Sequence, residues 1–236
     1  MGSLTLVRHG QASFLQPNYD KLSRLGEEQA RKLGEYWLKT GVRFDHSFHG
    51  PAHRQVHTGD IVAQTYREAG ESWPDSSCIP ELDEYPGIEV VRAFLPELID
   101  KHEDMRLLDE EFRTAADRSV AARAFEKMFQ RVTRLWVAGE LDSPDVETWQ
   151  SFCERVEVGI ERARSVGGRV AVFTSGGVIA ATVRIALDLS PQRTLELSWA
   201  PRNASYAEFL FSPERFSLSS FNVYPHLDTP DLLTWR

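Results

Sequence analysis

Arg8, His9 and Gly10 stand together at the end of a short apolar run, Leu4-Thr5-Leu6-Val7, that reads as a buried strand. An imidazole beside a fixed cation is biased towards its neutral, nucleophilic form. In open α/β sheets ligands bind at the carboxyl ends of the strands, which is where this tripeptide falls. Three further segments carry chemistry-bearing residues. His49-Gly50-Pro51-Ala52-His53-Arg54 adds a second arginine, Glu81-Leu82-Asp83-Glu84 adds carboxylates, and Thr174-Ser175-Gly176-Gly177 is a turn of small residues. Arginine forks suit phosphate oxygens bidentately. A small-residue turn that opens a helix presents backbone N–H groups at a positive dipole end, which suits phosphate too. Taken alone, His9 reads as a strand-end histidine in an ordinary turn. Taken with the other three segments, it belongs to a site that takes up a phosphoryl group without a metal.

The elements that must position these groups alternate along the chain. After the first strand, Leu22, Leu25, Ala30, Leu33 and Trp37 recur at helical spacing, with Ser23 as N-cap and Thr40-Gly41 as the stop. A second strand is expected over residues 43–48, a second helix over 52–69, and a short third strand or extended segment over 79–85. Residues 89–140 read as helical and strongly charged. A further helix carries Trp149, Phe152, Cys153, Val156, Ile160 and Ala163 on one face. Residues 169–174 form a hydrophobic strand, followed by a helix to about Leu189. The end reads as a hairpin, 204–211 with 216–223. Strands separated by helices imply right-handed crossovers. The expected fold is α/β and three-layered: a mostly parallel sheet flanked by helices on both faces, in a single domain over 1–236, with a helical insertion at about 86–145 over the site.

Composition narrows the classes. A 42% apolar, 11% aromatic chain of 236 residues is globular rather than disordered. A formal charge of -8 disfavours a nucleic-acid partner, which calls for a basic footprint, yet leaves room for a locally basic pocket. Cys78 and Cys153 suggest no disulfide framework and read as small buried apolar residues in a reducing compartment. No apolar run reaches the 18 residues of a membrane span, and no basic-then-apolar leader precedes the first strand. A cytoplasmic protein without a membrane partner is expected.

The ordered segments resemble the histidine phosphatase superfamily, also called phosphoglycerate mutase-like. The resemblance rests on L-V-R-H-G at 6–10, L-S-R-L-G-E-E-Q-A at 22–30, and G-P-A-H-R-Q-V-H-T at 50–58, which is similar to the family's S-P-x-x-R-A-x-x-T. It continues with E-L-D-E at 81–84, F-T-S-G-G-V-I at 173–179 and S-F-N-V-Y-P-H-L at 220–227. It implies that His9 takes up the phosphoryl group as a phosphohistidine and that Arg8 and Arg54 clamp its oxygens. It also implies that Glu84 protonates the leaving alcohol and then activates water. Such an acid needs a raised pKa near neutrality. Ser175 and Gly176 would add phosphate contacts, and Ser13 is a further candidate. No cofactor and no metal are implied. The substrate would be a small phosphomonoester or a phosphorylated protein.

Two departures qualify the resemblance. The family's S-H-G-G carries a second histidine where this chain has Ser175. Losing one preorganised donor to the transition state commonly costs about 10²–10³-fold. A weak phosphatase is therefore expected, with a non-catalytic phosphate-ester binding module as the alternative. Gln11-Ala12-Ser13-Phe14-Leu15 also lacks the mutases' E-S-x-W-N pattern, which argues against a mutase. The histidines at 46, 49, 53 and 57 are spaced by three, four and four, but Gly50-Pro51 breaks the run, so they read as loop and helix-surface residues rather than a metal site. The acidic run 103–111 reads as a solvated helix face.

Overall fold

The computed structural model describes residues 1–12 and 20–235. Its strands are β1 (Gly2–Arg8), β2 (His46–His49), β3 (Ser76–Cys78), β4 (Arg169–Thr174), β5 (Tyr206–Ser212) and β6 (Arg215–Val223). They form one sheet in the order β3-β2-β4-β1-β5-β6. The pairings β3–β2, β2–β4 and β4–β1 are parallel, and β1–β5 and β5–β6 are antiparallel. β1 and β4 are central and adjacent, with Arg8 in register with Thr174. That register brings the Arg8-His9-Gly10 turn beside the Thr174-Ser175-Gly176 turn.

Helices α1 (Arg24–Lys39), α2 (His53–Glu68), α6 (Trp149–Ser165), α7 (Gly176–Leu187) and α8 (Pro191–Ser198) accompany the sheet, which has helices on both sides. Side chains alternate across the pleat. Val7, Ala171 and Phe173 pack in one buried cluster with Leu33 and Trp37 of α1 and Val62, Ala63 and Tyr66 of α2. Leu4, Leu6, Val170 and Val172 alternate to the opposite face and are fully buried. Helix α1 begins as its sequence dictates: the Ser23 hydroxyl accepts from Gly26 N at 3.1 Å. These elements, apart from the start of α6, lie in one compact unit, 1–84 with 154–236.

The second unit, 85–153, contains α3 (Gly87–Lys101), α4 (Glu103–Thr114), α5 (Arg118–Val137) and the start of α6. Its interior is built from Val90, Phe94, Met105, Met128, Val132 and Trp136. Tyr85, Trp136, Trp149 and Phe152 stack edge-on or tilted at centroid distances of 5.4–6.3 Å. The acidic run on α4 faces solvent apart from Met105 and the partly covered 108 and 109.

Some expectations need correction. The third strand lies at Ser76–Cys78, before the expected 79–85, because Pro80 starts a 3-10 turn over Pro80–Leu82. Cys153 is buried, but Cys78 is exposed on the edge strand β3. Helix α8 was not anticipated; Ser190 caps it and Pro191 occupies its first position. Among the described residues no helix is long and apolar enough to cross a membrane.

One buried histidine outside the strand ends gives the fold a pH dependence. His226 is 5% exposed and lies between Tyr36 and Tyr206, at centroid distances of 6.2 and 6.4 Å. Burial lowers its pKa from 6.5 to about 4. The unfolded chain therefore binds a proton that the folded chain refuses across this window. Stability is fully present above pH 6.5, falls as pH drops towards 4, and is level below that. The loss is on the order of 3 kcal/mol. Urea denaturation between pH 7 and pH 4 should show this slope, and His226→Gln should make it shallower.

Candidate active site

β1 delivers His9 into a fixed backbone frame. Its N–H donates to Thr174 O at 2.9 Å, and its carbonyl accepts from Ala204 N at 3.2 Å and Asn203 Nδ2 at 3.4 Å. Ala204 reaches it with φ at 56°, a conformation that L residues adopt at a cost of about 1–3 kcal/mol. Such strain clusters at functional sites, where the surrounding structure enforces it.

The ring itself is held in one state. Nδ1 lies 2.7 Å from Gly10 O, and Nε2 lies 3.3 Å from Arg54 Nε. A carbonyl only accepts, so Nδ1 carries the proton; a guanidinium only donates, so Nε2 presents its lone pair. Burial, then the Arg54 and Arg8 guanidiniums, hold His9 well below the ordinary 6.5. At neutral pH this is a neutral imidazole with a defined nucleophilic nitrogen.

The glycine after His9 has a packing reason. A Cβ on Gly10 would collide with Gly26 O, and one on Gly26 would collide with Gln11 O. The His9 loop and the first turn of α1 therefore meet backbone to backbone. Gly10 N donates to Thr58 Oγ1 at 3.1 Å, and that hydroxyl donates to Arg54 O at 2.7 Å. The loop is thus tied to α2, the helix that presents Arg54.

The two arginines hold different posts. Arg54 ion-pairs through Nη1 with Asp20 Oδ1 at 2.7 Å, and Asp20 Oδ2 accepts from His53 N at 2.9 Å. Asp20 caps α2 and fixes the guanidinium beside His9. Arg8 donates through Nη1 to Pro201 O and through Nη2 to Trp235 O at 2.6 Å. Its outer nitrogens hold the loop before β5 and the C-terminal segment, while its charge still acts on His9. That segment is further tied by Gln29 Nε2, which donates to Leu232 O at 2.8 Å and Thr234 Oγ1 at 2.9 Å.

Glu84 reaches the start of α7, where its Oε2 accepts from Gly177 N at 3.1 Å. The expected anion cradle at this helix N-terminus is thus partly taken by the Glu84 carboxyl group. The segment bearing Glu84 is pinned by Arg155, which donates to the carbonyls of Glu81, Asp83 and Glu84 at 2.8–3.1 Å. Ser175 is fully buried, and its Oγ accepts from Gln55 Nε2 at 2.8 Å. A Cβ built on Gly176 would lie 3.7 Å from Arg8 Nε, which sets this turn against Arg8. Ser13 lies outside the described residues.

His9 and Arg54 are in direct contact, and Ser175 and Gly176 lie beside them through Thr174 and Arg8. Asp20, Gln55 and Arg155 were missed. Asp20 and Arg155 act over long sequence separations that no local pattern shows. Gln55 lay inside the quoted 50–58 segment, but its partners Leu82 and Ser175 are distant in the chain. His53 and His57 share a helix face, with rings 5.6 Å apart. Among the described residues no three His, Cys, Asp or Glu side chains gather where they could hold a metal ion.

The model of the histidine phosphatase superfamily (branch 1) matches residues 4–77 and 97–224. The chain belongs to this superfamily. Solved structures share the fold. A phosphoserine phosphatase from Entamoeba histolytica, in complex with 3-phosphoglyceric acid, superposes with a TM-score of 0.61 at 17% identity, over 96% of this chain and all of that one. A phosphoglycerate mutase from Bacillus anthracis gives 0.60 at 17% identity, over 95% and 94%. The alpha-ribazole phosphatase from Shigella flexneri gives 0.58 at 19%, over 94% and 96%. A search of curated proteins found no match.

Membership in the histidine phosphatase superfamily turns attention to the state of His9, which NMR can read. Its imidazole should titrate with a midpoint below 6.5 and show the Nδ1–H tautomer. Arg54→Gln should move that midpoint upward, because a charge that opposes protonation is gone. A wild-type midpoint at or above 6.5 would contradict the reading of the site.

Proposed function

We propose that this chain is a metal-independent phosphomonoesterase that works through a phosphohistidine on His9. The observation that carries the reading is the neutral, buried His9 with Nε2 directed at Arg54. In the first step Nε2 attacks phosphorus in line and the ester P–O bond breaks. Arg54 swings its donors from Nε2 to the phosphoryl oxygens, and Arg8 adds positive charge. Glu84 gives its proton to the departing alkoxide. In the second step Glu84 takes a proton from water, the hydroxyl attacks phosphorus, and the P–N bond breaks to return His9 and release phosphate. Phosphoryl transfer of this kind depends on positioning and charge neutralisation, which these residues supply. Two steps through a covalent intermediate replace one harder step.

Hydrolysis is favoured over mutase chemistry because the segment after His9 lacks the mutase pattern. The substrate class is a small phosphomonoester or a phosphorylated protein, in keeping with relatives named phosphoserine phosphatase and alpha-ribazole phosphatase. The neutral Ser175 in place of a cationic imidazole supports slow turnover, and in the limit a module that binds phosphate esters without cleaving them.

Leaving-group dependence separates the roles. With EDTA present, wild type should hydrolyse both an alkyl and a nitrophenyl phosphate. His9→Ala should lose at least about 10³-fold on both, as expected for a nucleophile. Glu84→Gln should lose about 10²–10⁴-fold on the alkyl ester, whose alkoxide needs a proton. On the nitrophenyl ester, a good leaving group, its loss should be much smaller. Equal losses on both esters would remove Glu84 from the acid role. Activity that EDTA abolishes and a divalent ion restores would overturn the metal-independent reading.

A further inference from the structure

Gln55 is fully buried in the first turn of α2, and its amide is satisfied on both sides. Oε1 accepts from Ala52 N at 3.1 Å. Nε2 donates to Leu82 O at 3.4 Å and to Ser175 Oγ at 2.8 Å. Because Leu82 O can only accept and Ala52 N can only donate, the amide has one orientation. Ser175 Oγ is therefore the acceptor in its bond with Gln55. The serine's own proton is not used in that bond and is left to donate.

Gly50 belongs to the same arrangement. A Cβ there would collide with Gln55 Oε1 and would lie 2.5 Å from Leu82 O and 2.9 Å from Gln55 Cδ. The amide can lie where it does only because position 50 has no side chain. The family patterns put Ser at position 50, Ala at 55 and His at 175. This chain differs at all three, and the three differences meet in one hydrogen-bonded unit. A small residue at 55 leaves space for a large one at 175; here the large side chain comes from 55 and the small one from 175.

We infer that Gln55 is a positioning residue that orients the Ser175 hydroxyl as a donor to a phosphoryl oxygen, so that the Gly50–Gln55–Ser175 unit does with neutral groups part of what an imidazole would do at position 175. The inference rests on the phosphatase reading for its effect on rate, and on phosphate binding alone for its effect on affinity. Ser175 stands in the chain between Thr174, whose carbonyl receives the His9 N–H, and Gly176, which lies against Arg8. Gln55 also ties Ala52 N and Leu82 O, a contribution to folding, but its inferred effect on a phosphoryl group runs through Ser175, so for catalysis its loss and the loss of the hydroxyl are the same loss.

A double-mutant cycle tests this. Gln55→Met keeps most of the volume and removes the donor; Ser175→Ala removes the hydroxyl. Each should lower kcat about tenfold with little change in KM, the scale of one neutral hydrogen bond. The double variant should fall no further than either single one. A purely structural role would instead lower the melting temperature and leave kcat per folded molecule unchanged, which would overturn the inference, as would losses that multiply. The same cycle is run on the affinity for orthovanadate, where each single variant should weaken binding by up to about tenfold, again without addition. If wild type binds vanadate but shows no turnover, the phosphatase reading fails while the vanadate cycle still decides the role of Gln55. An independent arm uses the space argument. Ser175→His alone should be poorly active because Gln55 fills the site, and Gln55→Ala in the same chain should raise its activity. Ser175→His as active alone as with Gln55→Ala would contradict the shared-space argument.

Discussion

The hydrogen bond from His9 Nδ1 to the carbonyl of Gly10 is the constraint on which the site depends. It spends the one proton of a neutral imidazole on the side away from Arg54, so Nε2 has to be the free base. The bond is local, from the ring to the carbonyl of the next residue, and Gly10 and Gly26 let that loop lie backbone to backbone against the start of α1. Central placement of β1 supplies the rest: Thr174 on one side and Ala204 on the other hold the His9 backbone. The His9 imidazole is thus oriented by main-chain groups, which are shared with the sheet and cost no side-chain ordering.

Positive charge at the site is arranged economically. Arg54 is the cation in contact with His9, and Asp20 keeps it there while capping α2. Arg8 contributes its field from a position where two of its nitrogens bind carbonyls of the C-terminal part of the chain. At position 175 a buried hydroxyl is held by the Gln55 amide. Burial and both cations keep His9 unprotonated, so the imidazole does not add to that charge.

Elements defined by local rules could be read directly from the residues. β1, β4 and the 204–223 hairpin have continuous or alternating apolar patterns, and α1 carries its own cap at Ser23. The third strand was misplaced because its three residues, Ser76–Cys78, carry almost no apolar signal, whereas Ile79 and Leu82 beside them are fully buried for other reasons. Helix α8 was missed because its eight residues follow α7 with only a short break. His9 and Arg54 were open to local reading because one follows a strand end and the other stands just inside a helix, whereas Glu84 lies in the irregular segment after the Pro80–Leu82 turn, not at the strand end expected. Asp20 was not, since it contacts Arg54 across more than thirty residues of chain. Gln55 was visible but silent: its meaning depends on Gly50 and Ser175, and their meeting is a property of the folded chain.

The central claim is that His9 Nε2 becomes bonded to phosphorus during turnover. The most direct test is to mix the protein with a phosphomonoester in excess, quench it in alkali within the first turnovers, and locate the added phosphoryl group by mass spectrometry. The account predicts a phosphoryl group on His9 that survives alkali, is lost in acid, and is absent from His9→Ala. Turnover with no label on His9, or a label that remains in His9→Ala, would contradict it.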